Sequence, residues 1–211
     1  MKLLAVSVAS LAAFTVLATA TARPAAAEDL WGDDSRGISR IHKGVWAIDL
    51  GALAIFRHET QGDASVTRLA TDFNLTVSRF FMNNVSVGVV GIFAYDSQGD
   101  DNSALMLGGA VEGRAHLRLG QGAFFRPGIA VGALFGNREI PTGATTVEEA
   151  SQVAFTTRVS LPIAYFISRS LALHAGPQFN LNIGSYKPSG GESQSFTTID
   201  GGFEVGVAYV F

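Results

Sequence analysis

The segment Ile199-Asp200-Gly201-Gly202-Phe203-Glu204-Val205-Gly206-Val207-Ala208-Tyr209-Val210-Phe211 decides how the rest of the chain reads. Phe203, Val205, Val207, Tyr209 and Phe211 fall on every second residue, with Glu204, Gly206 and Ala208 between them. Successive residues of an extended strand point to opposite sides, so this stretch has one apolar face and one face of small and charged side chains.

Working outward, the same period of two recurs through the chain. Trp46, Ile48, Leu50, Ala52, Ala54 and Phe56 alternate with Asp49 and Gly51. Leu69, Phe73, Leu75 and Val77 alternate with Arg68, Asp72, Asn74 and Thr76. Val85, Val87, Val89, Phe93 and Tyr95 stand against Ser86, Gly88 and Asp96, and Leu105, Leu107, Val111 and Leu117 against Glu112, Arg114, His116 and Arg118. Phe125, Ile129, Val131 and Phe135 form a fifth set, with Arg126 and Gly128 between them. Val153, Phe155, Val159 and Leu161 oppose Thr156 and Arg158, and Leu171, Leu173, Phe179 and Leu181 oppose His174, Gln178 and Asn180. With the C-terminal segment this makes eight strands of roughly 11–15 residues, and no helical stripe competes. Soluble strands average about five or six residues, whereas a tilted membrane-crossing strand needs about 9–11.

The connections alternate too. Those near 79–84, 119–122 and 167–170 are tight, and those at 57–64, 96–103, 136–151 and 184–194 are longer and polar. Short turns at one end and longer loops at the other belong to an up-and-down membrane barrel. The expectation is an all-β, eight-stranded, antiparallel up-and-down transmembrane β-barrel over 44–211, with short turns in the periplasm and longer loops outside.

Composition agrees. The 211 residues carry 24 glycines, no cysteine, 16% charged residues and a formal net charge of −3. Ordinary soluble domains carry about a quarter charged residues. Disorder requires more charge and fewer apolar residues, and a disulfide scaffold requires cysteine. A charge this close to zero gives no electrostatic case for nucleic acid.

The N-terminus reads as an address. Met1-Lys2, an apolar run from Leu3 to about Ala20 and Ala25-Ala26-Ala27 form a secretory signal over 1–27, cleaved after Ala27. The polar stretch 28–43 has no strand pattern and is expected to be a periplasmic N-terminal extension.

Alternation alone does not say which face is inside, since a soluble lipocalin-like carrier would invert it. Three features put the polar face in the lumen. That face is rich in Gly, Ala and Ser, which suits a crowded interior. Past the signal, lysine is limited to Lys43 and Lys187, both expected outside strands, whereas a water-facing sheet would carry more. Aromatic residues gather near strand ends. Trp46, Phe80, Phe81, Phe124, Phe125, Tyr165, Phe166, Tyr209 and Phe211 fall at the short-turn end, and Phe56, Phe93, Tyr95, Phe135, Phe155 and Phe179 toward the other. Two aromatic girdles flanking an apolar band mark bilayer interfaces. Pro127, Pro162 and Pro177 fall within strands, where each removes a ladder donor, so bulges are expected, above all at Pro177.

Tyr165-Phe166-Ile167-Ser168-Arg169-Ser170-Leu171-Ala172-Leu173 resembles the periplasmic-turn signature of small outer-membrane barrels, with Phe80-Phe81-Met82-Asn83-Asn84-Val85 as a shorter echo. The segment Phe203–Phe211 resembles their C-terminal assembly signal, with Phe203, Tyr209 and the terminal Phe211 as its aromatic marks. The resemblance is to the OmpA/OmpX/OmpW-like eight-stranded barrel superfamily. It implies residence in the bacterial outer membrane among phospholipid and lipopolysaccharide, and insertion by the barrel-assembly machinery. The peptidoglycan-binding domain of OmpA relatives is not expected after the last strand.

In such a barrel Asp49, Asp72, Glu112, Arg114, Arg158 and Glu204 form a lumen ion-pair network at middle depth, with His174 beside them. Arg118 and Arg126 lie nearer the periplasm, and Arg68 and Asp200 nearer the outside. Charges in so narrow an interior must pair or stay wet. Arg114 and Arg158 are expected to pair with Glu112, Glu204 or Asp72. The function expected is structural or envelope interaction through the outer loops. The first alternative is a narrow gated channel for ions or small polar solutes, and the second is the lipocalin-like carrier. No enzyme is expected: His42, His58, His116 and His174 lack the His-x-Ser arrangement of outer-membrane deacylases. Asp96, Asp100, Asp101 and Asn102 lack the spacing of a calcium loop, and neither metal nor cofactor is expected.

Overall fold

A computed structural model describes residues 41–97, 103–120, 122–141 and 147–211. The predicted signal and most of the predicted N-terminal extension lie outside the described residues.

Eleven strands follow in chain order. They are β1 (Trp46–Gln61), β2 (Ala64–Met82), β3 (Val85–Ser97), β4 (Ser103–Ala115), β5 (Leu117–Gly120), β6 (Ala123–Phe125), β7 (Gly128–Pro141), β8 (Val147–Ser160), β9 (Ile163–Phe166), β10 (Leu171–Pro188) and β11 (Gln194–Val210). Three breaks, at His116, Arg126-Pro127 and Leu161-Pro162, split single staves in two. The pairs β4–β5, β6–β7 and β8–β9 therefore each continue one stave, and the wall has eight. Neighbours pair antiparallel throughout, and β1 pairs with β11 from Ala47↔Val210 to Thr60↔Thr197, closing the sheet. A closed sheet has no unpaired edge, so a lipid-facing backbone is fully bonded.

Every second side chain of β1 is buried, in the order Ala47, Asp49, Gly51, Leu53, Ile55, Arg57, Glu59. Leu50, Phe56, Leu69, Val89, Phe135 and Phe203 are among the large apolar residues exposed on the opposite face. Charge points inward and hydrocarbon outward, the inverse of a soluble carrier barrel.

The strands outrun their expected lengths. β2 spans 19 residues and β10 spans 18. The connection expected over 57–64 is a turn at Gly62-Asp63, with Gly62 in the left-handed region at φ 55°. The alternation continues through residues that are merely polar on both faces, which composition disguises as loop. Lys187 accordingly lies on β10.

Prolines are accommodated differently from expectation. Pro177 keeps register opposite Phe203, without a bulge. Pro127 and Pro162 instead interrupt their staves, because a residue without N–H cannot donate to the ladder. Their carbonyls still accept from the neighbouring stave. Ala115 N–H donates to Pro127 O at 2.9 Å, Arg126 N–H to Pro162 O at 2.8 Å and Leu161 N–H to Pro177 O at 2.9 Å. The three form a stair across adjacent staves that holds the wall together. Register shifts occur elsewhere, at Phe80/Met82 and Arg118/Gly120.

The short-turn girdle is thinner than the sequence suggests. Trp46, Phe81, Tyr165, Tyr209 and Phe211 face outward, but Phe80, Phe124 and Phe166 are buried inside the barrel. There they join Ile41, Val45 and Val210 in an apolar floor. Phe124 and Phe166 meet edge to face, their centroids 5.5 Å apart.

Candidate functional site

Above this floor the lumen is filled by layers of charge, each layer built from staves distant in sequence. In the first layer Asp49 of β1 receives two hydrogen bonds from Arg126, Nη1 to Oδ1 at 3.1 Å and Nη2 to Oδ2 at 2.9 Å. Arg126 occupies the break between β6 and β7, two residues from buried Phe124, so it keeps that residue's inward parity. Arg114 Nη1 lies 3.5 Å from Asp49 Oδ2, and Arg114 Nη2 donates to Glu112 Oε1 at 2.7 Å. Arg114 and Glu112 are two apart on β4, so the pleat puts both on the inner face. His174 Nε2 is 3.4 Å from Asp49 Oδ1. Glu204 is buried in the same layer and lines the same cavity as Arg114, yet it forms no ion pair within 4.0 Å among the described residues.

His116 sits beneath, at the β4–β5 break. Its Nε2 is 2.9 Å from Ser86 Oγ, and its ring lies 4.6 Å from that of Phe80. Backbone bonding bridges the break, as His116 N–H donates to Asn84 O at 2.8 Å.

The second layer joins β1, β2, β3, β8 and β11. Arg158 Nη2 donates to Asp72 Oδ2 at 3.0 Å, and its Nη1 bonds to Asn74 Oδ1. Arg57 is the hub. Its Nε and Nη2 donate to the two oxygens of Asp200, each at 3.1 Å, and Nη2 also reaches Asp72 Oδ1 at 3.3 Å. Asp96 Oδ2 lies 3.5 Å from Arg57 Nη1. One guanidinium thus holds three carboxylates from three other staves, a task its planar fork suits and an ammonium does not.

The outermost layer is Arg138 with Glu59, joined at 2.5 Å. Arg138 also lies over the ring of Tyr186, 5.6 Å from its centroid. Tyr186 bonds to Gln61, and its hydroxyl donates to Gln194 Oε1 at 2.5 Å. Tyr186 and Phe196 belong to an apolar cluster that lines one side of the upper barrel.

Of the residues expected in the network, Asp49, Glu112 and Arg114 meet in one layer, Asp72 and Arg158 in the next, and Glu204 stands apart from direct pairing. Arg118 is half-exposed at the rim, its Nε 3.3 Å from Gly120 O. The side chain of Arg68 lies outside what is described. Arg57, Glu59, Asp96 and Arg138 complete the network, although the sequence reading placed them in or beside loops. A parity count would have found Arg57 and Glu59, since both are an even number of residues from Asp49.

Two small cavities lie among these layers. One cavity, between Asp49, Glu112, Arg114, Arg158 and Glu204, holds about 20 Å³. A second, between Arg57, Asp96, Arg138 and Phe196, also holds about 20 Å³. Each suits a water molecule bridging polar groups, and neither suits a solute. Among the described residues no cluster of three metal-ligating side chains occurs.

An eight-stave antiparallel barrel, hydrocarbon outside and charge inside, is the fold of the small outer-membrane β-barrels. Two solved structures illustrate the likeness. Neisserial surface protein A superposes with a TM-score of 0.54 over 79% of this chain and 99% of its own, at 11% identity. The outer-membrane protein AlkL, in lipid bilayers, gives 0.52 over 81% of this chain and 91% of its own, at 15% identity. No protein-family model and no curated protein matches the chain. The likeness is therefore one of fold.

Proposed function

We propose that the chain is an outer-membrane protein whose barrel is a sealed anchor, with a structural or envelope-interaction role carried by its rims. The observation that carries this reading is the stack of layers across the lumen. The apolar floor of Phe80, Phe124 and Phe166, the Asp49–Arg126 layer, the Arg57 hub and the Arg138–Glu59 cap each span the interior in turn. An interior of this width is filled by side chains rather than left open. Outward-facing apolar rows and aromatic residues support a bilayer as the solvent. Lipid and lipopolysaccharide are then the surrounding partners. Phe203, Tyr209 and Phe211 on the closing stave face outward, where assembly machinery can read them before the barrel closes. Catalysis is not part of the role proposed, and the one Ser–His contact, Ser86 with His116, is buried against the floor aromatic Phe80 among the described residues.

Refolded protein in a planar bilayer tests it. A heat-dependent gel shift first establishes the barrel. The sealed reading expects no discrete openings. Openings that change when Arg158→Gln is introduced would replace it with a narrow gated channel.

A further inference from the structure

Charge outside the lumen is sorted by end. At the short-turn end the described charged side chains on the rim are Lys43 and Arg169, both exposed in turns, Arg79, exposed on the outer face of β2, and half-exposed Arg118. Among the described residues no acidic side chain lies at this end below the Asp49 layer. Arg114 and Arg126, just inside, already have Asp49 and Glu112. The opposite rim is acidic, with Asp63, Glu139, Glu149 and Glu192 exposed against Lys187.

Position makes the basic end specific. Arg79 pairs in register with Trp46 across β1 and β2, on the outward face, and its guanidinium carbon lies 5.6 Å from the Trp46 ring centroid. Trp46 belongs to the row of outward aromatics that includes Tyr165, Tyr209 and Phe211. Such rows sit at headgroup level, so Arg79 lies where lipid phosphates lie. The Lys43 N–H bonds to Asn83 Oδ1 at 3.1 Å, which fixes that turn against the β2–β3 turn. Arg169 lies in the β9–β10 turn, where Ser168 Oγ accepts from the Leu171 N–H at 3.1 Å. Two of these cations thus sit in turns at the rim, and Arg79 sits above them on the wall at the aromatic row.

We propose that Lys43, Arg79 and Arg169 form a collar that binds anionic phospholipid headgroups of the leaflet at the short-turn end. This rests on the membrane-barrel reading and adds a lipid preference to it. Multivalent attraction to anionic lipid is strongest for basic groups held at the surface, and it weakens with salt. Lipid is favoured over a polymer in the aqueous space because Arg79 points sideways, along the aromatic row, rather than down from the mouth.

Trp46 supplies the readout. Full-length mature protein carrying Trp31→Phe is refolded into phosphatidylcholine vesicles, and Trp46 fluorescence is quenched with brominated phosphatidylglycerol or brominated phosphatidylcholine. The collar expects phosphatidylglycerol to be preferred by ~fivefold at low salt, about the effect of one basic residue at a lipid surface. The preference should vanish in K43Q/R79Q/R169Q and survive in R79K/R169K, which guards against a folding defect. Equal quenching by both lipids, or a preference that persists in the neutral triple variant, overturns the collar. A preference that emerges only after Glu28, Asp29, Asp33 and Asp34 are neutralised also overturns it, since the collar would then serve the chain's own acidic segment. Absence of quenching by any lipid would instead remove the membrane-barrel reading itself.

Discussion

Arg126 and Asp49, 77 residues apart, face each other across the barrel as a two-bonded pair at 3.1 and 2.9 Å. The pair links the break between β6 and β7 to the first turn-side residues of β1, and Arg114 and His174 close around it at 3.5 and 3.4 Å. Burying ions is costly, and the cost is met only while every charge keeps its partner.

Removing one partner should therefore cost more than removing both. Asp49→Asn takes the carboxylate from buried Arg126 and leaves Arg114 with Glu112 alone, and it is expected to lower stability by about 3–5 kcal/mol. Asp49→Leu combined with Arg126→Met should recover most of that loss. Denaturant unfolding of the refolded barrel, followed by tryptophan fluorescence, measures both. An unchanged midpoint for the single variant would mean that the layer is not held electrostatically.

Arg57 meets three carboxylates, more than any other cation among the described ion pairs. Arg57→Met leaves Asp72, Asp96 and Asp200 without the guanidinium they share, and a loss of about 3–5 kcal/mol is expected. Arg57→Lys should recover part of it, because a point charge cannot fork between carboxylates. The order wild type, lysine, methionine in denaturant midpoint is the check.

Adjacent aromatics on β2 test the direction of the side chains. Phe80 is 1% exposed and Phe81 is 55% exposed. Phe80→Ala should cost about 3–5 kcal/mol, since it opens a cavity in a packed floor. Phe81→Ala should cost clearly less, because lipid chains fill the space it leaves. The same unfolding assay compares them. Equal losses would contradict the inward floor.

Two glycines make a steric contrast. A Cβ on Gly132 would collide with Gly109 O and with Ala110 on the neighbouring stave, whereas one on Gly113 meets nothing within 4 Å. Gly132→Ala should cost about 1–3 kcal/mol through strain. Gly113→Ala should stay within about 0.5 kcal/mol of the parent. Refolding yield by heat-shifted gel mobility gives an independent reading of the same contrast.

Much of this architecture was legible because a strand's parity is a local property. Asp49, Asp72, Glu112, Arg114, Arg158 and Glu204 share their faces with Gly, Ala and Ser, and the opposite residues are apolar, so neighbours two apart suffice to place each one inside. The same logic falters where both faces turn polar. Arg57, Glu59 and Arg138 therefore resembled loop, although their strands run on through the ladder. Aromatic clustering also misled at Phe80, Phe124 and Phe166. A hydrophobic side chain near a strand end suits lipid and a capped interior equally well, and only parity separates the two.

The sequence by itself determined the period of two, the number of staves and the inward parity of the mid-strand charges, since each depends on a residue and its chain neighbours. Tertiary structure alone decided which charges meet. Asp49 with Arg126, or Arg57 with Asp72, Asp96 and Asp200, depends on how far each stave slides against the next before the sheet closes on itself. That stagger is a property of the whole ring, set by all eight pairings together, and no single strand encodes it.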